Sequence, residues 1–62
     1  MTKVAVMAKV GNRTVHEILR DFNRQEIYDM AQAFDVNVVH LKEKSTKVMA
    51  IYLYDQCHKS RR

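Results

Sequence analysis

At 62 residues, with 47% apolar side chains, one glycine, no proline and a formal charge of +4, the chain makes at most one domain, too small to enclose a deep catalytic cleft. A core of that size supplies only about 3–5 kcal/mol unaided, and nothing in the composition suggests disorder, so a compact, mostly α domain is expected. The single cysteine, Cys57, cannot form an intrachain disulfide, no stretch reaches the apolar length of a membrane span, and the start lacks a signal-peptide pattern, so a soluble cytoplasmic protein is expected.

In chain order, TKVAVMAKV at 2–10 alternates Val4, Val6, Ala8 and Val10 with Lys3, Ala5, Met7 and Lys9, which favours a short β-strand. The competing reading is a helix capped by Thr2 and stopped by Gly11, with Val4, Met7 and Ala8 on one face. TVHE at 14–17 is a capping box that opens a short helix with Ile18, Leu19 and Phe22 on its apolar side. NRQE at 23–26 repeats the device. Two helix starts so close together require a tight corner. In the second helix Ile27, Met30, Ala31 and Phe34 stand at i, i+3, i+4 and i+7, a single core-facing stripe. DVNVV breaks that period with β-branched residues, after which Ser45 or Thr46 caps a third helix running to about His58. Val48, Met49, Ile51, Tyr52 and Leu53 make this last helix apolar over a wide arc, as befits a central packing element or one whose second face meets a partner. The expected organisation is a small three-helix domain at 14–62, with an extended loop between the last two helices and a strand or helix extension at 1–13.

Charge is divided along the chain. Residues 1–16 carry Lys3, Lys9 and Arg13; residues 17–35 set Glu17, Asp21, Glu26, Asp29 and Asp35 against Arg20 and Arg24. The remainder sets Lys42, Lys44, Lys47, Lys59, Arg61 and Arg62 against Glu43 and Asp55. Such a chain can turn a basic face toward a polyanion while its acidic middle faces away, although a solvated surface accounts for the same numbers.

EIYDMAQAFDV, then NVVHLKEKSTK, then TKVMAIYLYDQ resemble the helix-extended-loop-helix class that includes SAP domains and the N-terminal domain of transcription terminator Rho. The likeness covers most of residues 14–62, with Asp35 standing where such families usually carry glycine. It implies nucleic-acid binding at the basic loop; with the charge split and the basic cluster, DNA is expected in preference to RNA. The residues supply a physical account of that role: a helix starting near Ser45 presents free N–H groups and a positive dipole end to a phosphate. Ser45 and Thr46 hydroxyls can donate to the same oxygen, and Lys42, Lys44 and Lys47 surround it. In an extended loop Lys42 and Lys44 share a side while Glu43 turns away. His40 precedes this group, and Lys59, Arg61 and Arg62 add a basic tail of nonspecific attraction.

Other readings use overlapping residues. As a helix-turn-helix regulator, the chain would offer VHLKEKSTK to the major groove as a recognition helix. As a small protein-binding regulator or inhibitor of phage type, it would act through the acidic helices at 17–35 and the apolar last helix, and an unpaired N-terminal strand edge would allow a homodimer. Tyr28, Tyr52 and Tyr54 can stack on bases, but their helical spacing also suits the rim of a core. His16, His40, Cys57 and His58 lack metal-ligand spacing, and one glycine builds neither a phosphate loop nor an oxyanion turn, so no catalysis, metal or cofactor is expected.

Overall fold

The computed structural model describes residues 2–35 and 37–60. Among these the chain is mostly helical and has no strand: α1 (Lys3–Val10), α2 (Val15–Asp21), α3 (Arg24–Gln32), a 3-10 helix (Val38–Glu43) and α4 (Thr46–Ser60). None of the described helices is long and apolar enough to cross a membrane.

The N-terminal segment is a helix where alternation favours a strand. Thr2 Oγ1 accepts the Ala5 amide at 3.1 Å, and Val6 and Val10, one helical turn apart, are buried while Val4 is 77% exposed. With no second strand to pair with, an extended segment would leave its backbone groups unsatisfied, whereas a helix pairs them internally. The strand-edge homodimer falls with the strand. The buried face also differs from the expected helical one: Val6 and Val10 point inward, Met7 is half-buried and Ala8 exposed.

α1 ends in a tight turn. Gly11 takes φ 59 and ψ −134, and the Arg13 amide donates to the Val10 carbonyl at 3.2 Å. A four-residue turn of this kind, with positive φ at its first central residue only, is the II′ class that favours glycine there. The capping boxes then set the corner between α2 and α3. Thr14 with Glu17, and Asn23 with Glu26, each exchange both bonds of the box. The Thr14 bonds hold the Glu17 carboxyl below its usual range.

α3 buries Ile27, Tyr28, Met30 and Ala31 and stops at Gln32, where Ala33 and Phe34 close back on Met30 and Ala31 with short-range bonds. Asp35 Oδ1 then accepts the Asn37 amide at 2.9 Å, a local turn that a carboxylate side chain makes readily. The expected extended loop is therefore compact: residues 38–43 form a 3-10 helix. Its period of three carries Val38 and Leu41 to the same side, and both are buried against the core. Burial of this i, i+3 pair rewards the tight helix over the strand that β-branched residues suggest.

Ser45 opens α4. Its Oγ accepts the Val48 amide at 3.3 Å and its carbonyl accepts the Met49 amide at 3.2 Å. The break at Lys44 and Ser45 means that VHLKEKSTK is not one helix, which removes the helix-turn-helix recognition element. α4 is the central packing element: Met49, Ala50, Leu53 and Cys57 are buried, and the helix lies against α2 and α3. The 3-10 helix packs on α3, so the basic handover sits beside the α3 N-terminus.

Candidate nucleic-acid interface

The residue that organises the handover is Arg24, which sequence reasoning left among the general charges. The Asn23 cap places Arg24 at the first position of α3, and from there its guanidinium crosses to the far end of the 3-10 helix. Nη2 donates to the Lys42 carbonyl at 2.7 Å and Nη1 to Thr46 Oγ1 at 3.2 Å. A helix end leaves carbonyls without intrahelical partners, and a cationic donor satisfies one strongly. The same two bonds fix the distance between the 3-10 helix and the start of α4. Three of the five guanidinium N–H groups remain for another acceptor.

Lys42 sits over the Tyr28 ring, with Nζ 5.4 Å from its centroid. Arg24, Gln25, Tyr28 and Lys42 together line an open hollow of about 270 Å³. Tyr28 itself is buried, and its hydroxyl accepts from Gln32 Nε2 at 3.4 Å. Of the other tyrosines, Tyr52 is half-buried, its phenol raised above the usual value by burial and by the Asp35 carboxylate, and Tyr54 is exposed and stacked on His58 at 6.1 Å.

At the α4 start the two hydroxyls have structural acceptor roles: Ser45 receives the Val48 amide and Thr46 receives Arg24. Each still has its own proton to donate. Among the described residues the amides of Thr46 and Lys47 have no acceptor, so the first turn keeps two donors aligned with the positive end of the helix. Lys44, extended at φ −97 and ψ 164, and Lys47, in the first helical turn, are both exposed beside it.

The pairing of Lys42 with Lys44 by strand alternation does not hold, because a three-residue turn puts Lys42 on the side of Val39 instead. His40 is exposed on the side shared with Glu43. Lys59 does not join the group: it is bound to Asp55 at 3.1 Å and lies thirteen residues along α4 from Thr46, about 20 Å at 1.5 Å per residue. Arg61 and Arg62 lie outside the described residues.

Ion pairing separates the cations into two populations. Lys9 lies 3.9 Å from Glu26, Arg13 is 2.9 Å from Asp21, and Arg20 binds Asp21 at 2.8 Å with Glu17 nearby at 3.9 Å. The hydrogen bonds from Arg20 and Arg13 hold the Asp21 carboxyl well below the usual carboxylate range. Arg24, Lys42, Lys44 and Lys47, by contrast, have no acidic partner among the described residues, nor does Lys3 on α1. The acids of 17–35 that form ion pairs neutralise the α1–α2 corner, and the handover keeps its positive field. A smaller hollow of about 90 Å³ beside Gly11 and His58 offers less to an anion, since Arg13 there is committed to Asp21 and to the Lys9 and Val10 carbonyls.

Compared with protein-family models, curated proteins and solved structures, the chain matches none.

Proposed function

We propose that the chain is a small cytoplasmic nucleic-acid-binding protein with a regulatory role, taking DNA in preference to RNA and seating a backbone phosphate at the start of α4. One observation carries the reading. Four cations that have no acidic partner among the described residues, Arg24, Lys42, Lys44 and Lys47, stand on the segments that meet at a helical turn whose first two amides have no acceptor among those residues. A phosphate oxygen accepts from the Thr46 and Lys47 amides and the Thr46 hydroxyl, while Arg24, already aimed at Thr46, donates to a second oxygen. Lys42 and Lys44 follow the backbone on either side. Duplex DNA suits this pattern because its contacts are to phosphates, and its charge density rewards each one neutralised.

The test is fluorescence anisotropy with a short duplex over a range of salt. Three to four phosphate contacts give a slope of log affinity on log salt of roughly −3 to −4. An Arg24→Gln, Lys44→Glu variant that keeps its far-UV dichroism is expected to lose about two units of that slope together with most of its affinity. Retention of wild-type binding by this folded variant would overturn the assignment. The second reading, a small protein-binding regulator, is favoured by a different observation: Val48, Ile51 and Tyr54 stand exposed on α4.

A further inference from the structure

The exposed large apolar side chains are not evenly spread. Val48 at 41%, Ile51 at 47% and Tyr54 at 39% exposure fall at i, i+3 and i+6 of α4, on a stripe distinct from the buried Met49, Ala50, Leu53 and Cys57. The charges that flank the stripe are symmetric about its middle. Lys47 stands four residues before Ile51 and Asp55 four residues after it. Lys47 has no acidic partner among the described residues, and Asp55 uses Oδ2 for Lys59, which leaves its other oxygen for a second cation.

We propose that this stripe docks on a second copy of the same chain, with the two α4 helices antiparallel and crossing at Ile51. The charges choose both the partner and the orientation. About a two-fold axis at Ile51, Lys47 of each copy meets Asp55 of the other, Val48 meets Tyr54, and the two Ile51 side chains meet each other, so one self-complementary patch closes the contact. A parallel pair would set Lys47 against Lys47 and Asp55 against Asp55, which is repulsive at both ends. No charged position lies between Val48 and Tyr54 to interrupt the apolar contact. One helix pair buries less than the standard interface of about 1,600 Å², so the dimer is expected to be weak. This contact shares the Lys47 side chain with the proposed phosphate seat, while its apolar residues Val48, Ile51 and Tyr54 take no part in that seat.

Sedimentation equilibrium of the full chain without nucleic acid tests it. Wild type is expected to pass from monomer to dimer between micromolar and millimolar concentration, and Ile51→Asp to stay monomeric. Lys47→Asp and Asp55→Lys are each expected to weaken the dimer about tenfold, because each sets two like charges face to face. Combining them rebuilds both pairs and is expected to restore association. These positions are exposed, and far-UV dichroism checks that each variant is folded. A wild-type monomer at millimolar concentration, a dimer indifferent to Ile51→Asp, or a double variant no better than the single ones would overturn the proposal. None of these readouts depends on DNA, so failure here is separable from failure of the phosphate seat.

Discussion

Arg13 does for the α1–α2 corner what Arg24 does for the handover. Its Nη1 donates to the Lys9 and Val10 carbonyls at 2.7 and 3.1 Å, its Nε donates to Asp21 at 2.9 Å, and its guanidinium lies 5.1 Å from the Phe22 centroid. Asp21 is thereby tied to a helix end as well as to Arg20. Because the bonds from Arg20 and Arg13 lower its folded pKa, Asp21 contributes stability that is fully present above the ordinary carboxylate range and lost as pH falls through the folded value. Glu17, lowered by the Thr14 bonds, acts in the same direction. Both groups are exposed, and solvent screens much of the effect. Thermal melts followed by circular dichroism are expected to show the wild-type midpoint falling as pH drops below about 4. Asp21→Asn should start from a lower midpoint at neutral pH and fall less on acidification, with Glu17 supplying the residual slope. Parallel wild-type and variant curves would show that Asp21 is not the group responsible. Arg24 had no comparable mark in the sequence. Its partners lie 18 and 22 residues away, a distance that only folding closes, whereas Lys42, Lys44 and Lys47 announce themselves by adjacency.

Helix boundaries depend on a few short-range devices, and Gly11 is the one with the least tolerance. A Cβ there would come no closer than 3.9 Å to the Ala8 carbonyl oxygen and Arg13 Nη1, so space is available. The obstacle is the backbone, since φ 59 with ψ −134 is a conformation that residues bearing a Cβ rarely adopt. Gly11→Ala is therefore expected to destabilise the fold by about 1–2 kcal/mol, read as a lower urea midpoint with unchanged slope; an unchanged midpoint would mean that the turn relaxes to a permitted conformation. The same local chemistry decides what is legible in the sequence. α2 and α3 can be read because Thr14 with Glu17 and Asn23 with Glu26 spell out their starts, and the start of α4 because Ser45 does. α1 is ambiguous because in eight residues the positions Val6 and Val10 satisfy alternation and the helical period alike. The 3-10 helix is hidden because Val38 and Leu41 reveal their spacing of three only once a core exists to bury them.

For the whole molecule, the two proposals together fix a geometry that neither fixes alone. α4 runs for 15 residues, about 22 Å, along a body of 29 × 24 × 17 Å, and the amides of its first turn point outward from one end along the helix axis. In an antiparallel pair crossing at Ile51, the two N-terminal turns face opposite ways. Under these two proposals a dimer would present two phosphate seats that one straight stretch of duplex could not occupy together, and it would join two segments instead. A bead-bound duplex is expected to retain a second, labelled duplex in the presence of the wild-type chain, more effectively at protein concentrations where the dimer forms. Ile51→Asp should bind each duplex with an undiminished salt slope per monomer and fail to join them. Arg24→Gln, Lys44→Glu should lose binding and joining together while still forming dimers in sedimentation. Capture that survives Ile51→Asp would place the second seat on the same copy of the chain; loss of single-duplex binding by Ile51→Asp would mean that the apolar stripe itself touches the nucleic acid.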